Sequence, residues 1–285
     1  MDYPISEITS SDFPPLLREI PDHPSKLYTR GTLPSPDRQW LCVVGSRKYT
    51  SYGRDATTTL IRGLRGYPIV IVSGLALGID GIAHRAALDA DLPTVAVPGS
   101  GLHDRVLYPA SHFPLAHDIL KRGGALLSEF EPMWKPRPES FPQRNRIMAG
   151  LSHAVLVIEA ESRSGTLITS RLATEYDRDV LTIPHPITSL TGEGPHMLIR
   201  LGATPIRTST EILEALGLDV EQTKITSHDA TGALEEKVLN LLREPMQRDT
   251  LIQTLNITTR EANILLSHME LMGLIQETSG YVRRI

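Results

Sequence analysis

The chain has 285 residues, of which 40% are hydrophobic and 22% are charged, and its formal net charge is -4. This length is enough for one large core and a second, smaller unit, and the composition excludes global disorder. The slightly acidic balance excludes polyanion binding by bulk charge, so contact with a nucleic acid requires a local basic patch. A single cysteine, Cys42, excludes an intrachain disulfide framework and a multi-cysteine metal site.

The first 39 residues are rich in proline, aspartate and serine and show no long hydrophobic period. They predict an extended arm, residues 1–39, that lies on the domain after it. The early acids and the lack of an apolar core are unlike a secretory signal. No apolar run approaches the length that spans a bilayer. We therefore expect a cytoplasmic protein without membrane contact.

Short apolar runs alternate with helical stretches over residues 40–218. The runs are rich in β-branched residues and end at turn signals: WLCVVGSR, YPIVIVSG, PTVAVPGSG, ALLSE, AVLVIEA and DVLTIPH. Such unbroken runs are typical of strands buried on both faces, as in a parallel sheet covered by helices. The alternation predicts an α/β fold with a doubly wound, mostly parallel sheet.

The last part of the chain predicts a separate small domain. A polar, aperiodic stretch over residues 219–232 predicts a linker. Residues 233–285 predict three helices and a hairpin, which is the outline of a winged helix, with Thr258 or Thr259 as a helix cap and a turn at Ser279-Gly280. Six basic and seven acidic residues give this domain a charge of -1, which disfavours a duplex-binding transcription regulator.

Glycine and serine follow four of the predicted strands, at Gly45–Arg47, Ser73–Asp80, Pro98–Leu102 and Glu159–Ser170. The carboxyl ends of parallel strands meet at one edge of a sheet, where ligands of such folds bind. Glycine admits close backbone approach, and amide and hydroxyl donors suit phosphate oxygens. Arg47 and Arg163 add positive charge. A single glycine is usually only a turn, so this hypothesis of an anion-binding edge depends on the four loops together.

Signatures of common enzymes are absent from the sequence. There is no P-loop, no G-x-G-x-x-G after the first strand, no G-x-S-x-G elbow and no metal-ligand spacing of histidines. Asp80 is predicted to be a helix N-cap rather than a catalytic acid. The sequence therefore predicts a protein without catalytic residues, cofactor or metal.

The segment KPRPESFPQRNR, residues 135–146, combines one aromatic ring, Phe141, and one acid, Glu139, with several cations. The cations are Lys135, Arg137, Arg144 and Arg146. Its prolines predict an extended segment before a helix that begins near Gln143. Cations for phosphates and a ring for a base are typical of contacts with single-stranded nucleic acid. The alternative is a solvated loop whose ring packs into the core.

Several long motifs resemble, in order and spacing, the DprA/Smf family of DNA-processing proteins: GSR, SGLALGID, GGALLSEF, FPQRNRIMAGLS, VIEAESRSGTLITS and HMLIRLGA. The resemblance spans about residues 12–218, and the C-terminal part resembles the winged helix that many members append. It implies a Rossmann-like domain over residues 40–218 that binds single-stranded DNA and forms a homodimer. It further implies a non-enzymatic protein that protects incoming DNA and loads the RecA recombinase in natural transformation and recombination.

The resemblance also implies which residues bind DNA. Arg47 would hold a phosphate, Phe141 would stack on a base, and Arg144 and Arg146 would bind phosphates or brace the loop. Glycine and serine amides would add donors. The full set is Gly45, Ser46, Arg47, Ser73, Gly74, Lys135, Arg137, Phe141, Arg144, Asn145, Arg146, Ser164, Gly165 and Thr166.

An enzymatic alternative stays open at this point. The stretch SGTLITS followed by Glu175 resembles the strand-end loops of nucleotide phosphoribohydrolases, which would act on nucleoside monophosphates. The fuller glycine-rich signature of that group, with its paired arginine and glutamate, is missing. The sequence therefore favours the non-enzymatic interpretation.

Overall fold

A computed structural model of the chain describes residues 3–218, 230–242, 244–255, 257–278 and 280–284. The chain divides into two compact units, Met1–Ile225 and Thr226–Ile285. Most of the predicted linker, residues 219–229, lies outside the described residues. No helix in the described ranges is long and apolar enough to cross a bilayer.

The first unit is built on a nine-stranded sheet. Its strands are β1 (Ile5–Thr9), β2 (Lys26–Gly31), β3 (Gln39–Val44), β4 (Ile69–Ser73), β5 (Thr94–Ala96), β6 (Ala125–Ser128), β7 (Ala154–Val157), β8 (Asp179–Thr182) and β9 (Thr204–Pro205). They lie in the order β1-β2-β6-β5-β4-β3-β7-β8-β9. All pairs from β6 to β9 are parallel, and β2 pairs antiparallel with both β1 and β6. The predicted mostly parallel α/β fold is confirmed.

Helices cover both faces of this sheet. They are α1 (Pro15–Glu19), α2 (Ser51–Arg62), α3 (Ile79–Asp89), α4 (Phe113–Lys121), α5 (Ser140–Leu151), α6 (Thr166–Glu175), α7 (Glu193–Arg200) and α8 (Ser209–Ala215). Strand β3 shows why its sequence is apolar without a break. Leu41 and Val43 pack into the core under α2, α3 and α8, whereas Trp40, Cys42 and Val44 pack under α1, α5, α6 and α7.

The N-terminal segment differs from the predicted extended arm. Strands β1 and β2 lie within residues 1–39, with Ile5 opposite Arg30 and Tyr28 opposite Ser128 of β6. The arm prediction is wrong for these two strands. Their sequences lack long apolar runs because β1 is an edge strand with largely exposed side chains. Strand β2 pairs with β6, about a hundred residues away in the chain, and β1 pairs in turn with β2, so their strand character depends on tertiary pairing.

The second unit has the elements of a winged helix, as predicted. They are α9 (Ala230–Leu241), β10 (Met246–Gln247), α10 (Arg248–Leu255), α11 (Thr259–Leu271), β11 (Ile275–Thr278) and β12 (Tyr281–Arg284), with strand order β10-β12-β11. Val238, Leu251 and Met269 lie in its core. Thr258 caps α11 through a capping box with Glu261, which confirms that prediction. In the predicted turn, Ser279 lies outside the described residues.

The topology places a crevice beside β3. Strand β3 lies between β4 and β7, and the chain leaves β3 and β7 toward opposite sides of the sheet order. Loops that diverge in this way open a gap at the carboxyl ends of the strands, which is where open α/β sheets bind ligands. The loops after β3 and β7 are two of the four that the sequence singled out.

Candidate functional site

A cleft of about 380 Å³ opens at this position. Its walls are the loops after β3 and β7, the N-terminal end of α6 and the first turns of α5. Nine of the fourteen residues of the predicted set line it: Gly45, Ser46, Arg47, Phe141, Arg144, Asn145, Ser164, Gly165 and Thr166. The structure therefore brings together residues that are more than a hundred positions apart in the sequence.

The loop after β3 is held in a defined shape. The Ser46 hydroxyl donates to the Lys48 carbonyl at 2.8 Å and accepts from the Lys48 amide at 3.0 Å. The Ile79 amide donates to the Ser46 carbonyl at 3.2 Å, which ties this loop to the start of α3. Gly78, with φ of +84°, lies so close that a Cβ would overlap the Ser46 carbonyl. This local rigidity presents Arg47 at the rim of the cleft.

The rim of the cleft is exposed, basic and aromatic. The exposed Arg47 guanidinium lies 5.0 Å from the centroid of the half-buried Phe141 ring. Phe141 packs over Gly99, where a Cβ would lie 2.6 Å from the ring, and the Tyr108 ring is 5.8 Å away. Lys48 is also exposed. Within the described residues, neither rim cation has a carboxylate within ion-pair distance.

The floor of the cleft is buried and polar. Arg144 is 4% exposed, and its Nη1 donates to the Val97 carbonyl. Gly74 gives this guanidinium room, because a Cβ there would overlap it. The buried Asp80 carboxylate accepts from the amides of Gly74 at 3.1 Å and Ala76 at 3.4 Å. Burial raises the pKa of Asp80, and the nearby charge of Arg144 opposes that shift.

The prediction that Asp80 is a helix N-cap is wrong. Helix α3 begins at Ile79 with Gly78 as its N-cap residue, so Asp80 lies inside the first turn. Its carboxylate turns back to the loop after β4 and satisfies the amides of that loop instead of those of its own helix. Asp80 therefore lines the cleft beside Arg144.

The opposite wall is the loop before α6. Asn145 Nδ2 donates to the Gly165 carbonyl at 3.5 Å and so links this loop to α5. The Ser164 hydroxyl accepts from the Thr166 amide at 3.2 Å, and the Ser164 amide donates to the Glu161 carbonyl at 3.0 Å. The hydroxyl of Ser164 therefore satisfies one amide in the first turn of α6.

Three residues of the predicted set do not line the cleft and are buried or paired instead. The Ser73 hydroxyl is buried and donates to the Val43 carbonyl at 2.6 Å, and the Gly74 amide is taken by Asp80. Arg146 pairs with Glu129 and lies 3.8 Å from Asp22. Positions two apart on a helix point to different sides, so Arg146 faces away when Arg144 faces the cleft.

Lys135 and Arg137 lie in the loop before α5, outside the cleft, and both are exposed. The prediction that α5 begins near Gln143 is wrong, because the helix begins at Ser140. Pro142 is compatible with the first turn of a helix, where no partner for its nitrogen is needed. Phe141 is thus held by a helix rather than by an extended loop.

The candidate carboxylate of the enzymatic alternative, Glu175, lies outside the cleft. Glu175 is the last residue of α6 and pairs with Arg171 at 3.4 Å. At 1.5 Å per residue, it lies about 13 Å along the helix from Thr166, and it does not line the cleft. In the part of the chain that the structure describes, no group of histidine, cysteine, aspartate or glutamate side chains could hold a metal ion.

Sequence reasoning missed several residues of this edge. Lys48 and Met148 also line the cleft, and Tyr108 and Trp134 present exposed rings beside it. Tryptophan in the basic stretch WKPR was a usable signal for an exposed ring. Tyr108 gave no local signal, because only the fold brings its ring to Phe141.

Comparison with known proteins gives consistent matches. A family model described as DNA recombination-mediator protein A matches residues 5–217, and a model of the DprA winged helix domain matches residues 222–281. Protein Smf of Escherichia coli K12 is 38% identical over 284 residues, covering 96% of this chain and 75% of that protein. DNA processing protein DprA of Streptococcus pneumoniae is 40% identical over 211 residues, covering 74% of this chain and 73% of that protein.

Solved structures agree with this match. The crystal structure of DprA from Streptococcus pneumoniae superposes with a TM-score of 0.67 at 38% identity and covers 74% of each chain. DNA processing protein A from Helicobacter pylori, studied for its single-stranded DNA binding mode, superposes with a TM-score of 0.66 at 29% identity, covering 75% of this chain and 96% of that one. The chain therefore belongs to the DNA recombination-mediator protein A family, the DprA/Smf proteins.

Proposed function

We propose that this protein binds single-stranded DNA in the cleft beside β3 and acts in DNA recombination without catalysing a reaction. The observation that carries the proposal is the pair of Arg47 and Phe141 at the rim, an exposed guanidinium over an aromatic ring. Family membership and the single-stranded DNA binding of the Helicobacter pylori relative support it.

Each side of the rim has a distinct part in binding. The Arg47 guanidinium and the Lys48 ammonium bind phosphate oxygens, and the ring of Phe141 stacks on a base after Arg47 moves onto the backbone. Bases in a duplex already stack on each other and offer no free face, so single strands bind more tightly than duplexes. Arg144 adds positive potential from the floor and holds the rim in place.

The test compares two arginine variants that remove the same charge. We expect Arg47→Ala to weaken binding of single-stranded oligonucleotides about tenfold and to lower the slope of log K against log salt by about 0.7. Arg62→Ala is the matched control, because Arg62 is exposed on α2 and pairs with Asp89 at 3.6 Å. Fluorescence anisotropy with single- and double-stranded oligonucleotides at two salt concentrations gives both quantities. Equal affinities of Arg47→Ala and wild type would contradict the proposal that this cleft binds DNA.

We also propose that the protein protects incoming DNA and loads RecA onto it in the cytoplasm during natural transformation. The support is the family resemblance together with the proposed single-strand binding. Assembly of RecA on single-stranded DNA coated with a single-strand binding protein is expected to accelerate with wild type and much less with Arg47→Ala. Equal acceleration by wild type and Arg47→Ala would show that RecA loading does not depend on DNA binding in the cleft.

A homodimer completes the proposal. The C-terminal end of α7 presents Met197 and Leu201 to solvent just before the edge strand β9, and Leu201 is 76% exposed. Apolar side chains grouped at a sheet edge are typical of an association surface. Light scattering is expected to report a dimer for wild type and for the control Leu77→Glu, and a monomer for Leu201→Glu. A dimeric Leu201→Glu would place the interface elsewhere.

An enzyme acting on nucleoside monophosphates is the competing function. The position of Glu175, at the far end of α6, argues against it. We expect no free base after incubation with nucleoside monophosphates. Base release that Glu175→Gln abolishes would replace the non-enzymatic proposal.

A further inference from the structure

A second pair of arginine and aromatic ring lies outside the cleft, in the loop between β6 and α5. The Arg137 guanidinium is 4.7 Å from the centroid of the Trp134 ring, and Phe130 stacks on that ring at 5.8 Å with 14° between the planes. Trp134 is 36% exposed. The pair repeats the arrangement of Arg47 and Phe141 at the rim, where the corresponding distance is 5.0 Å.

The two pairs are neighbours along the same edge of the sheet. Phe141 packs on Gly99, and the Gly101 amide donates to the Trp134 carbonyl at 2.9 Å. Phe141 and Trp134 therefore contact the loop after β5 at Gly99 and Gly101. The Cα atoms of these two glycines are about 7 Å apart at most. The exposed Tyr108 is part of the loop after β5, and its ring lies 5.8 Å from that of Phe141. The Tyr108 amide donates to the Ser100 hydroxyl at 3.3 Å.

The charge beside Trp134 is suited to a phosphate. Lys135 and Arg137 are exposed, and neither forms an ion pair with a carboxylate of the described residues. The nearby Glu131 is already engaged, with Lys26 at 3.0 Å and the Tyr28 hydroxyl at 2.6 Å. Glu129 pairs with Arg146. Among the charges of this loop without an ion pair to another described residue, two are basic and one, Glu139, is acidic.

A structural role for the ring is the competing explanation. An exposed cation–π pair contributes about 0.5–1 kcal/mol and could serve only to order the loop. The backbone of Trp134 is, however, already fixed by the bond to Gly101 and by its own amide, which donates to the Glu131 carbonyl at 2.8 Å. These two hydrogen bonds hold the backbone at Trp134 independently of the exposed part of the ring.

We propose that single-stranded DNA held in the cleft continues across the loop after β5 and stacks a further base on Trp134. Arg137 leaves the ring and binds the adjacent phosphate, as Arg47 does at Phe141. This inference rests on the proposed single-strand binding and extends it, because the bound strand is longer than the cleft alone requires.

The experiment measures affinity for oligothymidylates of increasing length. The shortest oligonucleotide that occupies the cleft is expected to bind Trp134→Ala and wild type equally. Longer ones are expected to bind Trp134→Ala about tenfold more weakly, within the range for loss of one stacked base. Trp134→Phe keeps a ring and is expected to restore most of the affinity. Met133→Ala, which removes the neighbouring exposed side chain, is the matched control and is expected to behave as wild type.

Tryptophan fluorescence provides a second, direct measurement. The chain has two tryptophans, and Trp40 is 1% exposed and buried in the core. A base stacked on Trp134 quenches its emission, so quenching is expected with long oligonucleotides only and is lost in Trp134→Phe. Unchanged emission together with unchanged long-oligonucleotide affinity of Trp134→Ala would overturn the inference. Equal weakening at every length would also overturn it, because Trp134 would then act in the cleft itself.

The two arginine and tryptophan variants distinguish an error in the proposed stacking on Trp134 from an error in the proposed DNA binding in the cleft. If Arg47→Ala weakens binding at all lengths and Trp134→Ala weakens it at none, DNA binding in the cleft is supported and stacking on Trp134 is contradicted. If Arg47→Ala has no effect even on the shortest oligonucleotide that binds, both proposals are contradicted. Thermal unfolding of each variant shows that any lost affinity does not come from lost folding.

Discussion

The floor and the rim of the cleft use the same residue type in opposite ways. On the floor, Arg144 is buried, bonded to the Val97 carbonyl and attracted by Asp80. On the rim, Arg47 is exposed and lies over a ring. An arginine at a strand end is therefore available to a ligand only where the fold leaves it partly solvated.

Burial explains why the two cannot exchange roles. Taking a guanidinium out of water costs several kcal/mol, which a buried site offsets only through fixed hydrogen bonds and an opposite charge. Arg144 has one such bond, from its Nη1 to the Val97 carbonyl, and the nearby charge of Asp80, and its Nε has no hydrogen-bond partner among the described residues. Arg47 keeps much of its hydration and can form new bonds with a phosphate at low cost.

The largest expected effect comes from the floor. Arg144→Ala removes the cation beside the buried Asp80, so we expect the free energy of unfolding to fall by about 3–5 kcal/mol. Urea unfolding followed by circular dichroism measures it. Arg62→Ala, an exposed arginine on α2, serves as the control and should stay within about 0.5 kcal/mol of wild type. If Arg144→Ala is as stable as wild type, the Arg144 guanidinium does not stabilise the fold and resembles Arg47 in this respect.

A buried histidine below the floor gives a smaller, pH-dependent effect. Burial lowers the pKa of His84 to about 3, and its Nδ1 lies 2.7 Å from the Thr94 hydroxyl. The unfolded chain therefore binds a proton near pH 6.5 that the folded chain excludes, and stability falls as the pH drops from 6.5 toward 3. At pH 5.5 this group alone should lower the free energy of unfolding by about 1.4 kcal/mol relative to neutral pH.

Urea unfolding at pH 7.5 and 5.5 checks the pH effect. His84→Gln should lose about 1.4 kcal/mol of the difference between the two pH values, whereas His23→Gln, at an exposed position, should keep it. An unchanged difference in His84→Gln would mean that the proton is taken up elsewhere.

The smallest expected effect is on the stability of the rim. Arg47→Ala should change the free energy of unfolding by less than about 0.5 kcal/mol, because its side chain is solvated. The same urea titration measures it beside Arg144→Ala. A loss as large as that of Arg144→Ala would erase the distinction between floor and rim.

Much of the fold was predictable from the sequence, and the failures share one cause. The six central strands were evident because residues such as Leu41 and Cys42 are apolar on both faces of the sheet. Strands β1 and β2 have no such pattern, because β2 depends on pairing with β6, far away in the chain, and β1 depends on pairing with β2. The N-cap prediction for Asp80 fails because the amides that it accepts from, those of Gly74 and Ala76, are placed by the path of the preceding loop.

The gathering of glycine- and serine-rich loops at one edge of a parallel sheet follows from the sequence, because hydrophobic periodicity defines the strands and parallel strands end together. Which cations at that edge are free depends on the tertiary fold. Arg144 and Arg146 lie two positions apart, yet one enters the floor and the other pairs with Glu129. Burial and charge pairing depend on contacts between distant segments, and these are absent from any local pattern of residues.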